Sequence, residues 1–241
     1  MKKTKKGPAP SKLLEFKQTS PTGSWDDFRN DNRGLSYKEL REQVADDQGG
    51  LCAYCETHHR DQLHTFSIEH FHPKSDISDP SINWALDWQN MLVVCRGGRE
   101  EDKSIYPTPE NLSCDANKDH VKLQSAILNP LDITSAKIFD FKKRTGELLV
   151  SKNIEKSLEN LAEETLRVLN LNCYSLCAAR LEVLKSYNQL IAKARRQNNT
   201  NIFQEITERW LSKTWLSYFT TRRCLLGGAA EKYLVNISFD G

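Results

Sequence analysis

The chain has 241 residues, 38% of them apolar and 27% charged, with a formal net charge of +2. That is an ordinary globular composition, with enough chain to bury a core. The charge is too near neutral to demand a polyanionic partner, so any grip on phosphate must come from local Lys and Arg clusters. No apolar run approaches the roughly 20 residues that span a bilayer. Gly7-Pro-Ala-Pro10 follows the basic start, Met1 to Lys6, where a signal peptide carries an apolar stretch. We therefore expect a cytoplasmic protein with no membrane association.

Residues 1–24 are rich in Lys, Pro, Ser and Thr and are expected to form a flexible basic arm. Ser36 with Glu39 fits a capping box that opens a short helix from Tyr37 to about Gln48, ended by Gly49-Gly50. From Leu51 to about Pro130 helical periodicity is weak, and Cys, His, Pro, Asn and Gly are crowded. A small irregular domain held by something other than a large core has this character. Within it, Thr65 to Ile68 alternates and reads as a strand ending at Glu69-His70. Asp87 can cap a helical turn or two through Asn90 and Val94, and another helix can start at Cys114-Asp115.

Lys137 to Phe141 and Leu148 to Val150, around Gly146, read as a hairpin. Beyond Lys152, the residues Ile154, Leu158, Leu161, Thr165 and Val168 recur at helical spacing. Leu176, Val183, Leu184, Tyr187, Leu190, Ile191 and Ala194 do the same. Phe203, Ile206, Trp210, Leu211 and Trp215 suggest a third helix, separated by Asn198 to Asn201. The expected fold class is α+β: an arm over 1–24, a motif-rich core over 25–135, and over 136–241 a hairpin plus an all-helical region suited to docking a partner.

Seven cysteines are unevenly placed along the chain. In a reducing compartment a Cys-x-x-Cys pair is better read as metal-binding or redox-active than as a disulfide. Cys52 and Cys55 have the spacing that lets two thiolates reach one tetrahedral zinc. Cys95 and Cys114 are the remaining cysteines of the segment that can close the site; the alternative, small buried thiols, is outweighed by the segment's need of a staple in place of an apolar core. A rival zinc set would use His58 or His59 and leave one of those cysteines unemployed. Ile68-Glu-His-Phe-His-Pro73 sits between the thiolates. Successive strand side chains point apart, so Glu69 can hold a divalent cation while His70 faces water.

No single piece is specific, but the order Cys-x-x-Cys, Glu-His-x-x-Pro, Asn90 to Cys95, then Cys114-Asp-x-x-Lys118 is. It resembles the zinc-containing HNH endonucleases. Leu51 to Glu56, Ile68 to Ser75, Leu128-Asn-Pro-Leu131, Val168 to Asn172 and Ala179-Arg180 look further like PtuB, the HNH component of Septu-type and retron-associated antiphage systems. The resemblance runs from about Leu35 to the last helices. It implies a zinc-stapled ββα-metal core, with Cys52, Cys55, Cys95 and Cys114 on a structural Zn²⁺. It makes Glu69 a ligand of a catalytic Mg²⁺ or Mn²⁺, His70 the general base, and Asn90 the residue that orients His70 or the loop behind it. The final motif usually places His or Asn after its cysteine. Here Asp115 stands there, a competent hard-cation ligand. The implied partners are a PtuA-like ATPase, a nucleic acid substrate and, in some systems, a retron reverse transcriptase with its RNA–DNA product. The chain contains no Walker motif, so an ATPase must act in trans.

Lys118, Arg96, Arg99 and Lys74 are the candidate phosphate contacts; Lys118 reads equally as a solvated helix lysine. His72 is expected to support the turn before Pro73, and His58, His59 and His64 to be exposed. Cys173 and Cys177 read as packed thiols. Lys142-Lys-Arg144 and Arg195-Arg196 read as solvated faces. The alternative function is a zinc-supported nucleic-acid-binding or scaffolding subunit without catalysis, which has no need of Glu69, His70 and Asp115 together.

Overall fold

In the computed structural model, which describes residues 1–59, 62–118, 127–134, 136–210 and 214–240, a short antiparallel hairpin organises the first half. Strand β1 (Ser67–His70) pairs with β2 (Met91–Val94), placing Glu69 opposite Leu92 and His70 opposite Met91. All four β2 residues are fully buried, as a continuous apolar run in a core strand should be. The helical turns expected through Val94 shrink to one 3-10 turn, Trp88–Asn90, capped by the Asp87 side chain. Met-Leu-Val-Val is an apolar run ending in two β-branched valines, with a strand partner, and pairing wins.

The outer edge of β2 is satisfied by the buried side chain of Gln48. Its amide accepts from the Val93 N–H at 2.7 Å and donates to the Val93 carbonyl at 2.8 Å, imitating a third strand. The knuckle that carries Cys52 and Cys55 is joined to β2 by Ala53 N donating to the Val93 carbonyl.

Residues 1–24, expected as a flexible arm, are packed against this core. Helix α1 (Ser11–Thr19) buries Leu13, and Phe16 meets Phe28 of α2 (Trp25–Asn30) edge to face at 5.4 Å. Two apolar side chains three residues apart make one helix face, which outweighs the basic composition around them. The Lys6 amine reaches the carbonyls of Trp88 and Met91. The capping box lies at Ser24 and Asp27. Helix α3 (Leu35–Asp47) begins one residue before Ser36, so the buried Ser36 hydroxyl bonds Asp31 and does not cap.

Helix α4 (Asp115–Lys118) follows the long β2 connection and is held by α5 (Lys156–Val168). Cys114 N donates to the Leu169 carbonyl, and the Asn117 amide donates to that of Val168. Between them in sequence, β3 (Phe139–Phe141) and β4 (Leu148–Val150) form the expected hairpin. Gly146 turns it with φ 80°, and a Cβ there would fall 2.3 Å from the Cys177 carbonyl oxygen.

Helices α6 (Tyr174–Arg196), α7 (Ile202–Glu208), α8 (Phe219–Leu226) and α9 (Gly228–Asn236) enclose a second apolar cluster around Trp210, Trp215 and Phe219. The third helix expected from Phe203 to Trp215 ends at Glu208; Trp210 packs beyond its end, and Leu211 lies outside the described residues. The buried Glu56 carboxylate joins the halves, accepting from Thr220 N at 2.8 Å and Thr220 Oγ1 at 2.6 Å. Among the described residues no helix is long and apolar enough to cross a membrane.

Candidate active site and its zinc support

Four sulfurs converge at the base of the hairpin. Cys52 and Cys114 Sγ are 3.9 Å apart, Cys55 and Cys95 3.5 Å, and Cys95 and Cys114 3.7 Å. All four lie within 4.8 Å of one another. A tetrahedral ion with Zn–S bonds of about 2.3 Å places its sulfurs about 3.8 Å apart, so this donor set fits zinc. Burial opposes a thiolate at Cys52, but hydrogen bonds from Cys114, Cys55 and Cys95 overcome it and hold Cys52 well below the ordinary thiol value. Cys114 is pushed up by its bonds to the same group, first of all Cys52. The rival set through His58 or His59 is not the one gathered. Those two histidines are half-buried and stacked on each other at 5.0 Å, where exposure was expected; His64 is exposed.

Strand β1 and helix α4 together present the acidic residues. Glu69 occupies the buried position of β1, and α4 brings Asp115 and Lys118 against it. Lys118 Nζ lies 2.9 Å from Glu69 Oε1 and 3.0 Å from Asp115 Oδ1. Burial, with Asp115 nearby, pushes the Glu69 carboxyl up to about 7 against the pull of Lys118. Burial works against the Lys118 ammonium too, yet the two carboxylates more than offset it and hold its pKa above the usual lysine value. Lys118 is thus no solvated helix lysine. The buried phenol of Tyr54, which sequence reasoning passed over, is raised well above its ordinary value by burial and then by Glu69. Its hydroxyl has no hydrogen-bond partner among the described residues. Two carboxylates sharing one cation form a donor set that a hard divalent ion also fits.

His70 follows Glu69 in β1 and turns the other way. Its Nε2 lies 3.1 Å from the Ala85 carbonyl oxygen, and its ring meets Trp25 edge to face at 4.5 Å. Burial lowers its pKa to about 4, against the Ala85 carbonyl, with Lys74 and Lys6 adding to the fall. Asn90 pins the loop that supplies Ala85. Its amide donates to the carbonyls of His72 and Trp84, each at 2.9 Å, and its oxygen accepts from His72 N at 2.6 Å. His72 supports the same turn, bonded to Asp76 at 2.7 Å and stacked on Trp84 at 3.9 Å. A cleft of about 500 Å³ opens beside His70, lined by its partners Trp25 and Ala85 together with Lys74.

Arg99 and Lys74 are exposed, and Arg96 is exposed but paired with Glu100. None of the three touches the Glu69–Asp115 pair among the described residues. Cys173, Cys177 and Cys224 bond separately to Ser175, the Asn172 carbonyl and the Phe139 carbonyl, as packed thiols.

A carboxylate and an imidazole stand on adjacent residues of a hairpin, with a short helix returning a second carboxylate, and comparison gives the class: the chain belongs to the HNH endonucleases and is an endonuclease. It is 32% identical, over 247 aligned residues and 94% of each chain, to the protein of Escherichia coli named "Retron Ec83 putative HNH endonuclease". No family model matches the chain.

Proposed function

We propose that the chain hydrolyses phosphodiester bonds of DNA or of a structured RNA such as tRNA, with His70 as general base and Glu69 and Asp115 as ligands of Mg²⁺ or Mn²⁺. The observation that carries this reading is the convergence of Glu69 and Asp115, from a strand and a helix, on a single cation position. When bound there, a divalent ion neutralises charge gathering on the phosphate and the leaving oxygen.

The protein's own groups do the rest. A carbonyl oxygen can only accept, so the His70 bond to Ala85 puts the imidazole hydrogen on Nε2 and leaves the lone pair on Nδ1. Burial keeps the ring neutral at neutral pH, and Nδ1 takes the proton of the attacking water. Asn90 acts on His70 through the loop it pins. The four-thiolate zinc has no open position and serves structure. Arg96, Arg99, Lys74 and Lys118 serve phosphate contact.

The retron context of the relative, together with the PtuB resemblance, supports a role as the effector nuclease of an antiphage system in the cytoplasm. Its partners there are a PtuA-like ATPase and, in retron forms, a reverse transcriptase with its RNA–DNA product. A nearly neutral chain then relies on its partner for part of its grip on nucleic acid.

The test offers plasmid DNA and total tRNA to the chain, alone and co-purified with the neighbouring ATPase, in Mg²⁺, in Mn²⁺ and in EDTA. Metal-dependent cutting of one polymer, increased by the partner, is expected. No cutting under any condition, with zinc present and the fold intact, contradicts this assignment and favours a scaffolding subunit.

A further inference from the structure

The cation shared by Glu69 and Asp115 in the structure is the ammonium of Lys118. This side chain is 14% exposed, and it lies one helical turn beyond Asp115 on α4. Its contacts of 2.9 and 3.0 Å take up one oxygen of each carboxylate. A Mg²⁺ ion needs oxygens at about 2.1 Å in a strict octahedron, and so competes for the same atoms and the same space. An ammonium and a dication held a few ångströms apart also repel strongly in a half-dry site.

We propose that Lys118 is the resident counter-ion of the Glu69–Asp115 pair and must be displaced before a divalent metal can bind there. The inference rests on the metal reading given above. Without metal, the lysine keeps two close carboxylates from facing each other unneutralised, which preserves the docking of α4 on β1. With metal, the displaced ammonium stays tethered beside the site. A phosphate arriving there offers it a new anionic partner, so substrate removes the competitor. Metal and substrate therefore bind with positive coupling, each favouring the other equally.

The direct test is Mn²⁺ binding to the zinc-loaded full chain, read by electron paramagnetic resonance and calorimetry without any substrate. Lys118→Met is expected to lower the Mn²⁺ Kd by about tenfold, as loss of one partly buried competing charge allows. Lys118→Gln, which keeps hydrogen bonding without the charge, is expected to gain similarly and guards against a folding defect in the first variant. Lys118→Arg keeps the charge and is expected to gain nothing. An unchanged or weaker Mn²⁺ affinity in both neutral variants overturns the proposal. Glu69→Ala separates the two claims: if Mn²⁺ binds that variant as it binds the wild type, the ion sits elsewhere and the metal assignment itself falls. Absence of Mn²⁺ binding in every variant overturns both.

Discussion

The imidazole of His70 is fixed by the carbonyl of Ala85, a residue 15 positions along the chain, at 3.1 Å. Because that carbonyl can only accept, the bond selects one tautomer. In histidine-labelled protein at pH 7, nitrogen NMR is expected to show His70 neutral and protonated at Nε2. An imidazolium, or the opposite tautomer, contradicts the role given to Nδ1.

Asn90 makes three hydrogen bonds while almost fully buried. Asn90→Ala leaves a backbone amide and two carbonyls unmatched and lets the Ala85 loop drift. It is expected to cost about 2–4 kcal/mol in urea unfolding and to lower kcat more than it changes KM. Wild-type turnover in a destabilised variant would refute the positioning role.

On the proposed reading the four-cysteine cluster holds zinc as a folding device. Cys52→Ser or Cys55→Ser is expected to reduce zinc content in elemental analysis and to lower Tm by on the order of 10 °C or more, with no recovery on adding Mg²⁺. Full stability without zinc would contradict the assignment.

Lys6 gives a pH signature. Burial lowers its amine from 10.5 to about 7, against Asp47 and Asp87. Between those two values the unfolded chain holds a proton that the folded chain does not, so this group's contribution to stability rises with pH across the window and is lowest below about 7. The Tm of the wild type relative to Lys6→Met is therefore expected to climb between about pH 6.5 and 9. A constant difference across that range would refute it.

The sequence displayed the candidate site better than its supports. Cys52, Cys55 and Glu69-His70 announce themselves by residue type and spacing, and the long α6 by its period. Ala85 could not be found that way, because it acts through a carbonyl that every residue has. Gln48 was equally silent, since a buried amide imitating a strand edge leaves no pattern. The arm was misread because its Lys and Pro content hid Leu13 and Phe16, whose face matters only once Phe28 is there to meet it. Lys118 could be a phosphate contact or a solvated lysine until α4 was docked on β1. That docking depends on the Cys114 and Asn117 contacts to the end of α5, more than 50 residues away along the chain.

The most direct test of the central claim is cleavage by wild type and His70→Ala, in single turnover, with Mg²⁺ or Mn²⁺ and any co-expressed partner. Loss of about 10²–10⁴ in rate, with zinc content and the fold retained, is the predicted result. Undiminished cutting by the variant would contradict the general-base role on which the mechanism stands.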